Sequence, residues 1–551
     1  TGANSGTYTS TKTLTFSAVE TLVGGNANDT LTFAAFNTAR SVVTTSVGVV
    51  DGFNISEANF SGTFRNINTL VGSSAVDSLT GLNVDSTWKI TGANAGQYKT
   101  AATANTLDFS TIETLIGGNA NDTLTFAGIG TVTLTALGTV DGFNATESVY
   151  TGTIRNINTV LGGAGSDTLI GLDTAGMFEI DGTNRYINGN TLDFSLVELA
   201  KGGAGNDSFL ISNSQTINLK GMGGDDKFIF ADNATLSGAT PAIDGGIGTD
   251  TLDYSAYTTT PVIVDMAAGK AMNITGSFSA IETLVGGRSN VIYGTSGNDT
   301  IIGGTGNDTL VGRGGDDLYI FNPGWGVDTI IEIAGEGNDT IDFTAVGSAI
   351  TFNFNGQTIT ITSGVNIVNH TGSGGFSNIE NFVGGTGADV FNLTGTQNKV
   401  NLRGGLGNDT FVFEDNATLD GAVNGEGGAD TLSYAAYTTV VTVYLSNGSS
   451  FNISANAANK ITAVENLIGG SANDILTGDT ANNVINGGAG DDKLEGGAGD
   501  DTFIFNAGWG VDTLTDTSGN DTVDFSSFTT NLNVVIGSII VTDGLGNSLT
   551  H

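Results

Sequence analysis

The sequence predicts an all-β solenoid, in which short strands and glycine-rich turns alternate along 551 residues. Composition gives the first indication, because the chain contains 84 glycines, 3 prolines and no cysteine. Segments rich in β-branched and aromatic residues lie between clusters of Gly, Asn and Asp, which is typical of strands and turns. Internal repeats of several lengths run through the chain, and a fixed repeat is the sequence signature of stacked coils.

The densest repeat occupies residues 469–505, where nine-residue blocks align with one another. Each block has glycine at its front, Asp or Asn at the sixth place and a large apolar residue at the eighth. Glycines at the first, second and fourth places permit a tight turn that a Cβ would disfavour. The last three residues predict a short strand with one inward side chain. Such a strand cannot bury its face alone, so the blocks must stack.

Stacking brings the acidic side chains of successive coils close together. Because the turns alternate sides, one coil takes two blocks, and equivalent carboxylates lie roughly 5 Å apart, the strand spacing. Carboxylates at that spacing repel unless a cation lies between them. A hard cation with flexible oxygen coordination suits carboxylates and backbone carbonyls, and outside cells that cation is calcium. The predicted cofactor is therefore calcium, bound as multiple ions.

The block pattern G-G-x-G-x-D-x-U-x, with U a large apolar residue, resembles the calcium-binding nonapeptide of repeats-in-toxin (RTX) proteins. The resemblance is specific at 294–320 and 469–504, where blocks run in tandem. It implies a right-handed parallel β-roll whose sixth-place carboxylates and turn carbonyls bind calcium. In the tandem blocks the implied ligands are Asp299, Asp308, Asp317, Asp474, Asp492 and Asp501. In solitary turns of the same pattern they are Asp167, Asp207, Asp226, Asp250, Asp389, Asp409 and Asp430.

Some turns depart from the pattern. Asn483 stands where Asp is expected, which weakens that turn as a metal site. The solitary turns of Asp29, Asp77 and Asp122 have Ala at the fourth place, and these aspartates either bind calcium or bond their own backbone amides. Further candidate ligands near the ends of the tandem blocks are Asp328, Asp339, Asp512 and Asp521.

Two Gly-Trp-Gly turns follow the tandem blocks, at Trp325 and Trp509. Their aromatic rings could form a carbohydrate platform, but packing as a cap over the last coil is the favoured interpretation. Most glycine turns are preceded by a motif of the type I/V-E/N-x-L/V-V/I/L-G-G, as in IETLVGG at 281–287. It predicts a strand whose Thr, Asn and Glu side chains point outward.

Duplications predict the domain organisation. TGANSGTY at residue 1 returns as TGANAGQY at residue 91, and a longer duplication begins at residues 202 and 384. We predict a calcium-poor solenoid of about 90-residue repeats at 1–201, a first β-roll unit at 202–383 and a second at 384–551. Calcium-dense segments are expected near 286–345 and 469–525. The second copy ends in mid-repeat, so we expect the polypeptide to continue beyond His551 and before Thr1.

Charge and motifs restrict the function. With 17 basic and 56 acidic residues, a net charge of −39 argues against nucleic acid or an anionic membrane surface as partner. There is no run of about eighteen apolar residues, so no membrane insertion is predicted. The chain has no cysteine, and neither of its two histidines lies in H-E-x-x-H, so no enzyme activity is predicted.

The predicted function is that of a secreted calcium-binding structural protein of the bacterial cell surface, which folds and rigidifies on extracellular calcium. A surface layer, an extracellular filament and an adhesin stalk all need a chain that is repetitive from end to end. The partners would be calcium and either further copies of the chain or a cell-surface anchor. The resemblance implies export by type I secretion. The alternative is the RTX portion of a secreted enzyme or toxin whose catalytic domain lies outside this chain.

Overall fold

The computed structural model describes residues 6–9, 13–16, 19–332, 337–356, 358–371, 378–454, 460–535, 540–544 and 546–550. These residues form strands and turns, with a 3-10 turn at Leu445–Asn447. No helix in this described part is long and apolar enough to span a membrane. The chain divides into two compact units, residues 1–256 with 270–281, and residues 257–269 with 282–551. The domain boundaries near 201 and 383 rest on sequence duplication and stay predictions.

In the second unit, successive strands along the tandem blocks alternate between parallel columns. Within a column Thr300 pairs with Leu318, and Ile475 pairs with Lys493. One coil therefore takes two nine-residue blocks, as the alternating turns predict. One column contains Thr283–Val285, Thr300–Ile302, Leu318–Ile320, Thr340–Asp342, Asn381–Val383, Thr396–Leu406, Thr418–Gly427 and Ile461–Thr462.

The remaining strands of the second unit form two further groups. One contains Ile263–Asp265, Val291–Tyr293, Thr309–Val311, Val327–Ile331, Thr351–Phe354, Thr358–Ser363, Asn366–Thr371, Val390–Leu393, Thr410–Phe413, Thr431–Ser433, Asn466–Ile468, Val484–Asn486, Thr502–Ile504 and Thr522–Asp524. The other contains Thr442–Tyr444, Ser449–Ser450, Ile475–Thr477, Lys493–Glu495, Val511–Thr515, Asn533–Val535, Ile540–Thr542 and Ser548–Thr550. Most three-residue strands bury only their middle residue.

The core of each coil is narrow because each short strand contributes one apolar side chain. The eighth-place residues of the densest block are at most 1% exposed: Leu476, Ile485, Leu494 and Phe503. Stacking in register places like residues on like residues. Phe391 packs between Phe352 and Phe411, with ring centroids 4.3 and 4.8 Å away.

The first unit is likewise built from columns of parallel strands. One contains Thr30–Thr32, Thr69–Val71, Ser86–Gly92, Ala95–Thr100, Leu107–Ser110, Asp122–Phe126, Thr159–Leu161, Met177–Ile180, Arg185–Asn188, Asn190–Ser195, Ser208–Ile211, Lys227–Phe230 and Thr251–Asp253. The other contains Thr21–Val23, Ser41–Val47, Phe53–Glu57, Phe60–Ile67, Ser78–Thr80, Thr114–Ile116, Thr131–Leu137, Phe143–Glu147, Thr153–Ile157, Thr168–Ile170, Leu199–Lys201, Asn218–Gly223, Ile243–Ile247 and Phe278–Ser279. Shorter pieces are Gly6–Thr9, Thr13–Phe16, Ser214–Thr216, Thr235–Ser237, Lys270–Ala271 and Ile274–Thr275.

Antiparallel excursions widen the coils of the first unit, a detail that the repeats did not predict. Ser41–Val47, Phe53–Glu57 and Phe60–Ile67 pair antiparallel in sequence. The same three-stranded excursion returns in the next 90-residue repeat at Thr131–Leu137, Phe143–Glu147 and Thr153–Ile157. The all-β, largely parallel architecture that the sequence predicted is confirmed.

Candidate metal centre

The predicted ligands lie inside the turns that join the strands. Two differ from the rest, since Asp29 is half-buried and Asp521 is exposed. The others are at most 3% exposed: Asp77, Asp122, Asp167, Asp207, Asp226, Asp250, Asp299, Asp308, Asp317, Asp328, Asp339, Asp389, Asp409, Asp430, Asp474, Asp492, Asp501 and Asp512. Burial of so many carboxylates is costly unless hydrogen bonds or cations compensate it.

Backbone hydrogen bonds connect these carboxylates from coil to coil. The Asp389 N–H donates to Asp409 Oδ1 at 2.8 Å, and the Asp409 N–H donates to Asp430 Oδ1 at 2.7 Å. The Asp474 N–H donates in the same way to Asp492 Oδ1 at 2.7 Å. We call such a run a carboxylate ladder. Each ladder places the carboxylate of one coil against the turn of the coil before it.

In one class of turn, the carboxylate is satisfied by the protein alone. Asp389 Oδ2 accepts the N–H of Gly385, four residues earlier, at 2.6 Å, and its Oδ1 accepts the Ile350 N–H at 2.7 Å. Asp474 is held in the same way by Gly470 and Val441. The amide four residues earlier also donates to Asp77, Asp122, Asp167, Asp207 and Asp299.

In the second class, Oδ2 is buried and has no hydrogen-bond partner among the described residues. The residue four places earlier has a positive φ in these turns, for example +99° at Gly405 before Asp409 and +96° at Gly488 before Asp492. This conformation rotates the peptide, so that its N–H does not reach the carboxylate. The members of this class are Asp226, Asp308, Asp317, Asp328, Asp409, Asp430, Asp492 and Asp501.

Asn occupies the sixth place in two turns, and its hydrogen bonds show which backbone groups lie near the side chain at that place. Asn290 Nδ2 donates to the Gly303 carbonyl at 2.9 Å, and Asn483 Nδ2 donates to the Glu465 carbonyl at 2.9 Å. At Asn483 the side-chain Oδ1 accepts the Asp479 N–H, four residues earlier, so its Nδ2 stands in the place of Oδ1. At Asn290 the Nδ2 stands in the place of Oδ2, as the contacts of Gly286 and Gly404 show, so a backbone carbonyl lies near the position of the unpartnered Oδ2. A cation between carboxylate and carbonyl oxygens would do at an Asp turn what the amide group does at an Asn turn.

The donor set of the second class fits calcium. It offers buried carboxylate and carbonyl oxygens, which are the ligands that this ion prefers. At every member of the class except Asp328, a glycine five residues earlier keeps the space open; a Cβ on Gly404, for example, would overlap both Asp409 Oδ2 and the Gly425 carbonyl. These turns could therefore hold calcium through the carboxylate and neighbouring carbonyls.

Electrostatics supports the same conclusion. Burial, together with the neighbouring Asp389 and Asp430, raises the pKa of Asp409 to about 7. Burial likewise raises the pKa of Asp492 to about 7 and of Asp328 to about 8. Protein groups alone thus disfavour the ionised form of these carboxyls. A bound cation would favour it.

Comparison with known proteins decides between the metal and purely structural interpretations of the tandem blocks. The sequence profile of the RTX calcium-binding nonapeptide repeat matches four copies, at residues 156–174, 284–319, 468–503 and 506–524. The chain carries RTX calcium-binding repeats. The predicted resemblance is therefore confirmed, and calcium is the cation that RTX repeats bind.

Other comparisons are less informative. No curated protein matches the chain in sequence. Among solved structures, the extracellular lipase LipA from Serratia marcescens is similar at 17% identity over 56% of this chain and 43% of the lipase chain. The match thus spans less than half of the lipase. Its TM-score is 0.14, so no conclusion about this chain depends on it.

Geometry extends the RTX pattern beyond the matched copies. Asp226, Asp409 and Asp430 lie in solitary turns, yet their unpartnered Oδ2 groups them with the tandem RTX turns. Asp250 receives the Asp226 N–H at 2.8 Å and follows Gly246, whose φ is +115°. Ligand roles for the individual aspartates stay predictions.

For the solitary turns with Ala at the fourth place, the geometry favours the structural alternative at two of three positions. Asp77 Oδ1 accepts the Arg40 N–H at 2.6 Å, and its Oδ2 accepts the Ser73 N–H. Asp122 Oδ2 accepts the Gly118 N–H at 2.6 Å, and its Oδ1 accepts the Ser86 hydroxyl. Asp29 differs, because its Oδ2 has no partner among the described residues.

The sequence analysis missed the role of the glutamates that precede the glycine turns. Glu113, Glu380 and Glu465 are half-buried rather than outward. Their Oε2 atoms accept the N–H of Asp77, Asp339 and Asp430, respectively, at 2.8–2.9 Å. Each glutamate occupies the ladder position that the next aspartate would take. The recurrence of Glu at a constant distance before Gly-Gly is the feature that could have revealed it.

The tryptophans of the two Gly-Trp-Gly turns pack in the interior. Strands continue past Trp325, since Val327–Ile331 pairs with both Thr309–Val311 and Asn366–Thr371, so Trp325 does not cap the last coil. Trp325 and Trp509 are 2% and 1% exposed. Their rings lie 5.0 Å from Phe343 and 5.4 Å from Phe525, respectively. Buried rings cannot offer their faces to a sugar, so neither forms a carbohydrate platform.

Proposed function

We propose that this protein is a secreted structural protein of the bacterial cell surface, part of a surface layer, a filament or an adhesin stalk, which folds and rigidifies on calcium. Calcium binding itself follows from the RTX repeats. The structural role is the proposal. No described element offers a non-repetitive α/β or helical region of the kind that a catalytic domain would contribute.

The observation that carries the proposal is the recurrence of unpartnered buried carboxylates from coil to coil. In both compact units they lie in the turns of the parallel columns. Cation binding is therefore distributed along the coils instead of being confined to one pocket. A ligand that binds only the folded state stabilises it by mass action, and each further ion adds to that stabilisation.

Calcium concentration would then determine where the chain folds. Calcium is scarce in the cytosol, so carboxylate repulsion and the conformational entropy of 84 glycines would oppose folding before export. Outside the cell, calcium would neutralise the ladders and stiffen the coils. A protein that acts as a spacer or lattice element needs coils that become rigid outside the cell.

The test is assembly of the purified chain, followed by electron microscopy and light scattering in calcium, in magnesium and in chelator. We expect sheets or filaments in calcium alone, because magnesium demands a rigid octahedral site and dehydrates reluctantly. A monomeric particle under all three conditions would contradict the structural role and favour an RTX portion of a larger secreted enzyme or toxin.

A further inference from the structure

The ends of the two tandem blocks each bring together three carboxylates, one of which lies outside the nonapeptide pattern. In the first copy these are Asp317, Glu332 and Asp339, and their ligand atoms lie within 4.8 Å of one another. In the second copy they are Asp501, Asp516 and Asp521. The duplicated segments GGDDLYIFNPGWGVDTIIE and AGDDTFIFNAGWGVDTLTD place Glu332 and Asp516 at corresponding positions, at the end of each segment.

In the first copy all three carboxylates are buried, at most 3% exposed. Asp317 Oδ1 accepts the Asp299 N–H at 2.9 Å, whereas its Oδ2 has no partner among the described residues. A Cβ on Gly312 would overlap both Asp317 Oδ2 and Glu332 Oε1. Glycine at this place therefore leaves a small space into which both oxygens point.

The second copy repeats this geometry at different residues. Asp501 is 1% exposed, and its Oδ2 has no partner in the described part of the chain. A Cβ on Gly496 would overlap Asp501 Oδ2 and, at 2.6 Å, Asp516 Oδ1. The Asp501 N–H donates to Asp521 Oδ1 at 3.1 Å, which holds the third carboxylate in place. In both copies the buried, unpartnered Oδ2 of the sixth-place aspartate therefore lies close to the carboxylate at the end of the duplicated segment, Glu332 or Asp516.

We propose that each tandem block ends in an additional calcium site, in which Glu332 in the first copy and Asp516 in the second complete the ligand set. Three carboxylates supply hard oxygen ligands, and calcium bonds of 2.3–2.6 Å allow ligand oxygens to lie up to about 5 Å apart. Neither Glu332 nor Asp516 occupies a sixth place. Asp317 and Asp501 are the sixth-place aspartates of the last nonapeptides, so each site joins one repeat ligand to a carboxylate that the repeat does not supply. The sites do not depend on the proposed structural role.

The two end sites differ in a way that predicts different affinities. Glu332 accepts a hydrogen bond from the Tyr319 hydroxyl, which fixes the carboxylate, and the whole cluster is buried. In the second copy Phe503 replaces that tyrosine, Asp516 is half-buried and Asp521 is exposed. Preorganised, water-excluded charges attract a cation more strongly than solvated ones. The first-copy site would therefore fill at a lower calcium concentration.

Native mass spectrometry of the full chain, titrated with calcium after chelation, can count bound ions as integers. We expect Glu332→Gln to remove one ion at saturation and Asp516→Asn to remove another. Tyr319→Phe should keep the ion count and shift loading of its site to higher calcium. Glu414→Gln is the matched control, since it removes one exposed carboxylate from the same unit.

An unchanged ion count and unchanged affinity in both Glu332→Gln and Asp516→Asn would overturn the proposal. If Glu332 served only as a hydrogen-bond acceptor for Tyr319, its substitution would lower stability and leave the count intact. Circular dichroism in calcium shows whether each variant folds. Should Glu332→Gln fail to fold, the half-buried Asp516 provides the decisive variant. Loss of assembly alone would not affect this count, so the two proposals fail separately.

Discussion

Replacement of Asp409 by Asn should change stability in opposite directions with and without calcium. Asp409 lies in the middle of the ladder Asp389–Asp409–Asp430, and its Oδ2 has no partner among the described residues. Asn keeps Oδ1 as acceptor for the Asp389 N–H and removes the charge. Its amide group can bond a neighbouring carbonyl, as Asn290 does in its own turn.

The size of the effect without calcium follows from the pKa. Burial raises the pKa of Asp409 from 3.8 to about 7 in the folded state. Such a group stabilises the fold below its unfolded pKa, and this contribution is lost as pH rises through the folded value. A difference of this size corresponds to about 4 kcal/mol between about pH 4 and pH 7. Because neighbouring carboxyls titrate together, we expect about 2 kcal/mol for Asp409 alone.

Urea unfolding followed by circular dichroism, in chelator and in excess calcium, measures this effect. In chelator at pH 7.5, Asp409→Asn should raise the free energy of unfolding by about 2 kcal/mol, and at pH 5 it should raise it by less than half as much. In calcium it should lower that free energy by about 3 kcal/mol, the stabilisation given by a ligand at about 100 times its dissociation constant. Glu414→Gln is the control for removal of one exposed charge.

The wild-type chain offers a companion measurement, since most ladder carboxyls have raised pKa values. Its stability in chelator should fall as pH rises from 5 to 8, and calcium should reverse that trend. The sequence pI of about 4.1 sets the lower limit of the pH range, because the protein loses its net charge there. If stability in chelator rises with pH, or if Asp409→Asn destabilises equally under both conditions, the reasoning is refuted.

Two further predictions concern packing, and urea midpoints in calcium check both. Gly407→Ala should destabilise the second unit by about 1–3 kcal/mol, because the φ of Gly407 is +125° and a Cβ would overlap the Gly387 carbonyl. Gly347→Ala is the control, since the atom nearest to a Cβ there is 3.6 Å away. Equal effects of the two substitutions would contradict the argument. Trp325→Ala should lower the free energy of unfolding by about 3–5 kcal/mol. Trp325→Phe should lower it far less, since the buried indole N–H has no partner among the described residues. Equal losses of stability in the two variants would contradict this prediction.

Sequence periodicity predicted the coil, because one nine-residue block encodes both the turn and the strand. The eighth-place residues are buried and the sixth-place aspartates lie in the turns, as the spacing requires. The antiparallel excursions were not predicted, since an excursion such as Phe53–Glu57 alternates apolar and polar residues just as a solenoid strand would. Period alone does not distinguish the two pairings.

Sequence analysis separated the sixth-place aspartates by the pattern of their turns, whereas the structure separates them by hydrogen bonding of Oδ2. The separation depends on the backbone of the residue four places earlier, and glycine adopts either sign of φ with little cost. Gly385 donates its N–H to Asp389, but Gly405, with a φ of +99°, does not reach Asp409. Both positions carry glycine. The neighbouring coil decides the conformation, and a single sequence does not specify it.

The two classes of turn imply that calcium dependence is a property of particular coils. Asp77 and Asp122 each receive the amide of their own turn and a second donor, so the protein itself compensates those buried carboxyls. Ladders that continue, such as the one through Asp409 and Asp430, accumulate carboxylates that only a cation or a proton can compensate. Glutamate ends a ladder, and asparagine interrupts it without creating a charge. The arrangement of Asp, Glu and Asn at the ladder positions therefore determines how much of the chain requires calcium to fold.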